Sequence, residues 1–231
     1  MPTVLLVRHG VTAANKDGTL AGWTPGVDLA DDGRAQAAAL AERLHEIPVA
    51  AIVSSPLDRC RQTAEPIGAG RGLTVEIDER LGEARYGDWT GQSLKTLAKD
   101  KLWRAVQAHP SAVRFPDGEA LRETSARAIE AVRERNAALD DDATWIAVSH
   151  GDVIKAVVAD ALGLHLDLFQ RIVVNPASLT VIRYTDLRPF LVRLNDVGGD
   201  VSDLIPPKRR RRRKRADSDA PVGGGTGAAA D

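Results

Sequence analysis

Val4-Leu5-Leu6-Val7-Arg8-His9-Gly10-Val11-Thr12-Ala13-Ala14-Asn15 decides the reading of this chain, together with its downstream counterpart, Trp145-Ile146-Ala147-Val148-Ser149-His150-Gly151-Asp152. Each is an apolar, largely β-branched run that stops at a histidine followed by glycine. A buried strand needs no imidazole at its exit, whereas the carboxyl ends of strands in an open α/β sheet are where ligand sites form. Two such exits predict one shared pocket.

Working outward, further strand-like runs fall at 49–54, 73–77, 178–185 and 189–195, beside 3–8 and 144–149. Helical patterns separate most of them, which predicts a three-layer α/β/α fold with a mostly parallel sheet of about six strands. The pattern from Asp31 to Ile47 begins with an acidic residue suited to capping and places Leu40, Leu44 and Ile47 on one face. Ser55-Pro56 reads as a helix start, with serine as N-cap, so Arg59 falls in the first turns of a helix at a third strand exit. From Gly118 to Leu139 runs the longest helical pattern, with Glu123 four residues before Arg127 on a solvated face. The last two strands form a hairpin turning at Asp186-Leu187-Arg188. Arg85 to Gly118, carrying Trp89, Trp103 and Phe115, is expected to cover the pocket, with specificity residing between Arg85 and Arg122.

Composition bounds the alternatives. A chain of 231 residues with 43% hydrophobic content can bury one sizeable core, so one domain over 1–196 is expected, followed by a tail over 197–231 without apolar periodicity, expected to be disordered. Lys208–Arg215 holds 8 of the 31 basic residues, and residues 1–207 alone carry a net charge of −6. Such an acidic body does not suit nucleic-acid binding over its whole surface. The single Cys60 excludes an intramolecular disulfide, and the five histidines lack the close spacing of a structural zinc site. With no signal-like N-terminus and no membrane-spanning apolar run, a cytoplasmic protein without metal or cofactor is expected.

The chemistry follows from the strand exits. Arg8, Arg59, His9 and His150 would gather two guanidinium groups and two imidazoles, a set suited to a dianion. Guanidinium forks match phosphate oxygens, and a helix starting at Gly151 adds N–H donors and the positive end of its dipole. Gly10 and Gly151 allow close backbone approach. A neutral imidazole is also a competent nucleophile toward phosphorus, so one histidine can take the phosphoryl group while the other contacts its oxygens. Glu83, in a glycine-punctuated loop after the third strand-like run, is the best candidate to protonate a leaving alkoxide and then to activate water.

Here the chain resembles a known family. Arg8-His9-Gly10-x-Thr12-x-x-Asn15 is similar to the signature of the histidine phosphatase superfamily, the phosphoglycerate-mutase-like fold. Five further stretches match in order: Leu29-x-x-x-Gly33-x-x-Gln36-Ala37, Ser54-Ser55-Pro56-Leu57-x-Arg59-x-x-Gln62-Thr63-Ala64, Glu83-x-x-x-Gly87-x-Trp89-x-Gly91, Pro116-x-Gly118-Glu119 and Ser149-His150-Gly151. The resemblance covers about residues 3–185. It implies His9 as the phosphorylated nucleophile, Arg8, Arg59 and His150 as phosphate ligands, Glu83 as proton donor and Asn15 at the phosphate pocket. Gly151 stands where the acid-phosphatase branch usually has a catalytic aspartate, which places the chain with the branch that uses glutamate. Within that branch the mutases carry a longer insertion with paired arginines, whereas Arg85, Arg104, Arg114 and Arg122 occur here singly. Hydrolysis of a small phosphorylated metabolite is therefore the expected activity, with cofactor-dependent mutase chemistry, suggested by Tyr86-Gly87, as its alternative.

Plainer roles stand beside these. Arg59 would pair with Asp58 or Glu65, Asn15 would stabilise a turn, Glu83 would be a surface carboxylate, and Trp89 and Trp103 would be packing residues. His45, His109, His165 and Cys60 carry no supporting pattern. The basic octad 208–215 is a solvated tail or a contact for nucleic acid or anionic surfaces. A phosphate-sensing scaffold using that tail to dock would need no turnover. An exposed edge strand would allow a homodimer.

Overall fold

The computed structural model describes residues 2–199. Six strands form one sheet in the order β3-β2-β4-β1-β5-β6: β1 (Thr3–Arg8), β2 (Ala51–Ser54), β3 (Val75–Ile77), β4 (Thr144–Ser149), β5 (Leu179–Tyr184) and β6 (Pro189–Asp196). The first four run parallel to one another, while β5 pairs antiparallel with β1 and β6 antiparallel with β5. The fold is thus α/β with a mixed, mostly parallel sheet, as the alternation of patterns predicts.

Among the described residues seven α-helices accompany the sheet: α1 (Ala13–Lys16), α2 (Asp31–Leu44), α3 (Asp58–Ala69), α4 (Leu94–Leu97), α5 (Lys101–Ala108), α6 (Leu121–Ala137) and α7 (Gly151–Ala161). Strand alternation divides the core into two. Leu5 and Val7 of β1 pack with Leu40, Leu44, Ala64 and Ile67 of α2 and α3. Val4 and Leu6 face the other way, joining Ala128 and Val132 of α6 and Val157 of α7. Trp89, Trp103 and Phe115 are buried in this second core, as packing residues.

Three local expectations are corrected. Ala30 is the N-cap of α2, and Asp31 and Asp32 lie inside its first turn, favoured there by the helix dipole. Leu57, not Ser55, caps α3; Ser55 stays in the connection from β2, where its hydroxyl accepts from the Leu57 amide and meets His150. Glu123 and Arg127 do not pair along α6, since Glu123 turns back to the Ala120 amide and to Arg114. The basic octad 208–215 and nearly all of the expected 197–231 tail lie outside the described residues. Among the described residues no helix is long and apolar enough to cross a membrane.

Candidate active site

Because β1, β2 and β4 are parallel neighbours, their carboxyl ends fall on one edge of the sheet. Register places Arg8 beside Ser149 and Ser54 beside Val148. The chain continues into His9, Ser55 and His150, whose positions are tied by hydrogen bonds from the His9 amide to the Ser149 carbonyl (3.0 Å) and from the Ser55 amide to the Val148 carbonyl (2.9 Å). The two imidazole centroids lie 5.3 Å apart.

His9 donates from Nδ1 to the Gly10 carbonyl at 2.7 Å; a carbonyl can only accept, so the neutral ring carries its lone pair on Nε2. Burial, then the Arg59 and Arg8 charges, hold its pKa well below the ordinary histidine range. A neutral imidazole with a fixed tautomer is the form that attacks an electrophile. The loop behind it is held by the Gly10 amide, which donates to Thr63 Oγ1 at 3.1 Å, and by contact with α2. A Cβ on Gly10 would lie 2.5 Å from the Gly33 carbonyl oxygen, and one on Gly33 would lie 2.1 Å from the Val11 carbonyl oxygen. Glycine at 10 thus serves loop-to-helix packing.

His150 is fully buried, with its Nε2 2.8 Å from Ser55 Oγ and its Nδ1 3.3 Å from an Arg59 Nη that can only donate. In this state Nε2 carries the proton. An anion facing Nδ1 needs the opposite tautomer, and the Ser55 hydroxyl can satisfy either one by rotating. Arg59 also donates to the Gly22 carbonyl at 2.8 Å, so the plainer pairing with Asp58 or Glu65 is not what it makes; Arg61 takes Asp58. Cys60 lies against His150, with burial pushing its thiol up to about 12.

Glu83 is held over this edge by residues remote in sequence. Arg127 Nη1 donates to the carbonyls of Arg80 (2.6 Å) and Gly82 (2.8 Å), and its Nη2 donates to that of Glu83 (3.0 Å). Glu119 closes on the same guanidinium at 2.7 Å and 2.9 Å, and the Trp23 indole N–H donates to the Glu83 carbonyl at 2.6 Å. The Glu83 carboxylate accepts from the Ala84 amide at 3.0 Å and stands 3.8 Å from His150 Nδ1. Its surroundings push its pKa up to about 7, chiefly by burial and then by Asp152, against the opposing pull of Arg59 and Arg8.

Asp152 belongs to a buried array. The Tyr86 hydroxyl donates to its Oδ2 at 3.2 Å, and Lys155 Nζ lies 3.3 Å from its Oδ1 and 3.1 Å from Gln170 Oε1. Removing the aspartate charge leaves the Arg59 and Arg8 guanidinium groups to favour ionised Glu83. Asp152→Asn is accordingly expected to lower the Glu83 midpoint, read by carbon-13 carboxyl titration. An unchanged midpoint would show that Asp152 does not act on Glu83.

A pocket of about 420 Å³, counting its open mouth, reaches His9, Arg59 and Glu83. Arg8 and His150 are buried behind it; Arg8 Nη1 donates to the Val174 carbonyl at 2.8 Å, and burial lowers its pKa to about 10. Gly151 is the first residue of α7, with His150 as N-cap. Asn15 lines the pocket while its Oδ1 accepts from the Thr12 amide and hydroxyl, so the turn-stabilising role and the pocket position coincide. The expected cover contributes less than its length suggests. Eight lining residues lie between Thr12 and Gly22, and the 85–118 segment adds Tyr86 and Leu94.

Sequence reasoning left out Ser55, Arg127, Trp23 and Asp152 as parts of this arrangement. Ser55 lies inside one of the matching stretches and Asp152 directly follows another, while Arg127 and Trp23 carried no local signal.

Comparison with known proteins shows which family the chain resembles. The model of the histidine phosphatase superfamily (branch 1) matches residues 4–197. A probable phosphoglycerate mutase GpmB of Cronobacter sakazakii is 33% identical over 214 residues, 90% of this chain and 97% of its own. Among solved structures, Bacillus stearothermophilus YhfR superposes with a TM-score of 0.80 at 28% identity, over 86% of this chain and 98% of that one. A mycobacterial glucosyl-3-phosphoglycerate phosphatase in complex with VO3 does so with a TM-score of 0.77 at 30% identity, over 84% and 98%.

Proposed function

Because the chain belongs to the histidine phosphatase superfamily, branch 1, we propose that it is a phosphomonoesterase working through a phosphohistidine on His9. His9 Nε2 attacks phosphorus, the P–O bond to the alcohol breaks, and protonated Glu83 delivers its proton to the departing oxygen. Water, deprotonated by the Glu83 carboxylate, then attacks phospho-His9, releasing phosphate and restoring the neutral ring. Arg8 and Arg59 offset the charge on the phosphoryl oxygens, and His150 donates from Nδ1 after the tautomer change that Ser55 permits.

The observation that carries this reading is the pairing of a neutral His9 with a carboxyl group poised near 7 in one pocket. At neutral pH both forms of Glu83 are populated, which suits a group that must act as acid and then as base. The solved phosphatases among the structural relatives support hydrolysis.

Quenching the reaction during turnover is expected to trap about one equivalent of phosphate per chain, stable in alkali and labile in acid, with activity retained in chelator. Absence of that adduct, or activity abolished by chelator and restored by a divalent ion, would sink the proposal. A second reading, phosphoryl transfer between the hydroxyls of a phosphoglycerate, is favoured by the GpmB relatives and by Tyr86 in the pocket. Isomer formed from 3-phosphoglycerate without free phosphate would establish it.

A further inference from the structure

The walls above the reacting groups differ in character from the floor. Arg59 and Glu83 are the charged groups among the described lining residues, and His9 lines the same pocket. Beyond them the lining is Leu20, Ala21, Leu94 and the ring of Tyr86, with Thr19 and Asn15 supplying neutral polar atoms. Among the described residues, cations near this rim have other partners or stand outside it. Lys16 Nζ lies 2.6 Å from Asp32, and the Arg85 guanidinium stacks 4.0 Å over Trp23 beside Glu79. Lys95 follows Leu94 on α4 but is exposed and does not line the pocket.

Charge then limits what the pocket accepts. Arg8 and Arg59 together balance one phosphate dianion. A carboxylate only a few bonds beyond the ester oxygen would enter against the leucines, alanine and tyrosine ring, losing water without gaining a counterion from the described residues. A hydroxyl in the same place loses far less, and Thr19 or Asn15 can pair with it. Resting on the phosphatase reading above, we infer that the substrate is the phosphomonoester of a small uncharged alcohol, such as a polyol or sugar. Phosphorylated hydroxy acids are discriminated against, including the phosphoglycerates for which several relatives are named.

Glycerol 3-phosphate and 3-phosphoglycerate test this directly, since both carry a terminal phosphate on a three-carbon chain and differ mainly in a hydroxymethyl against a carboxylate. With the full chain, phosphate release is expected to show kcat/KM at least about tenfold higher for glycerol 3-phosphate. Leu94→Lys, which sets a cation on the rim, is expected to narrow that ratio at least about threefold. Equal use of the two esters, or preference for 3-phosphoglycerate, overturns the inference while p-nitrophenyl phosphate hydrolysis keeps the phosphatase reading standing. Release from none of the three, or isomerisation of 3-phosphoglycerate without release, overturns both.

Discussion

His9→Ala is expected to lower turnover on the order of 10⁶-fold, the scale seen when a hydrolase loses its covalent nucleophile, and to abolish the acid-labile phosphoenzyme. The ring is buried, and its direct hydrogen bond is the one to the neighbouring Gly10 carbonyl. The surrounding loop is held by other contacts: the Gly10 amide on Thr63, the Val11 amide on Gln36 and the packing of Gly10 against Gly33. The variant should therefore fold and still bind phosphate through Arg8 and Arg59. Retained binding of inorganic phosphate by calorimetry, beside lost turnover, separates a chemical defect from a structural one. Wild-type turnover in this variant would leave the mechanism without its nucleophile.

Glu83→Gln is expected to show a defect that depends on the leaving group. Alkyl phosphates need a proton on the departing oxygen, so their first step should slow about 10²–10⁴-fold. p-Nitrophenolate leaves without help, so its ester should still phosphorylate His9. What then fails is the attack of water, and the result is a burst of about one equivalent of nitrophenolate followed by slow turnover, with phosphoenzyme accumulating. Equal losses on both esters with no burst would remove Glu83 from both proton roles.

The same substitution carries a stability signature. Folded Glu83 titrates near 7 against an ordinary value of 4.5, so between these limits the folded chain holds more protons than the unfolded one. Stability must fall as pH rises through that window, and above it the full penalty remains, on the order of 3 kcal/mol. Glutamine cannot ionise and keeps an oxygen for the Ala84 amide. The Tm advantage of Glu83→Gln is expected to be absent near pH 4 and to grow until about pH 8. A difference independent of pH would show that burial does not disfavour the Glu83 carboxylate.

Local grammar made part of this arrangement readable from the chain. Apolar runs ending at Arg8-His9 and Ser149-His150 mark parallel strand exits, and parallel strands present their carboxyl ends on a common edge whatever joins them. Helix boundaries were less legible: Asp31 and Ser55 are both competent caps, yet Ala30 and Leu57 hold the cap positions. Arg127 illustrates a stronger limit. Its i−4 neighbour Glu123 is a plausible partner by spacing alone, yet the guanidinium reaches the loop carbonyls before Glu83, a contact across 44 positions for Glu83 itself.

What the sequence by itself determined is the inventory and its approximate address: two imidazoles and two guanidinium groups at strand exits, and a carboxyl group on a glycine-rich loop nearby. Tertiary structure alone decided their chemical states. The Gly10 carbonyl selects the His9 tautomer, Arg59 selects that of His150, and Asp152 joins with burial to raise Glu83 toward neutrality. These states depend on dehydration and on distances between charges brought together from across the chain, and neither quantity exists until the sheet has closed its register.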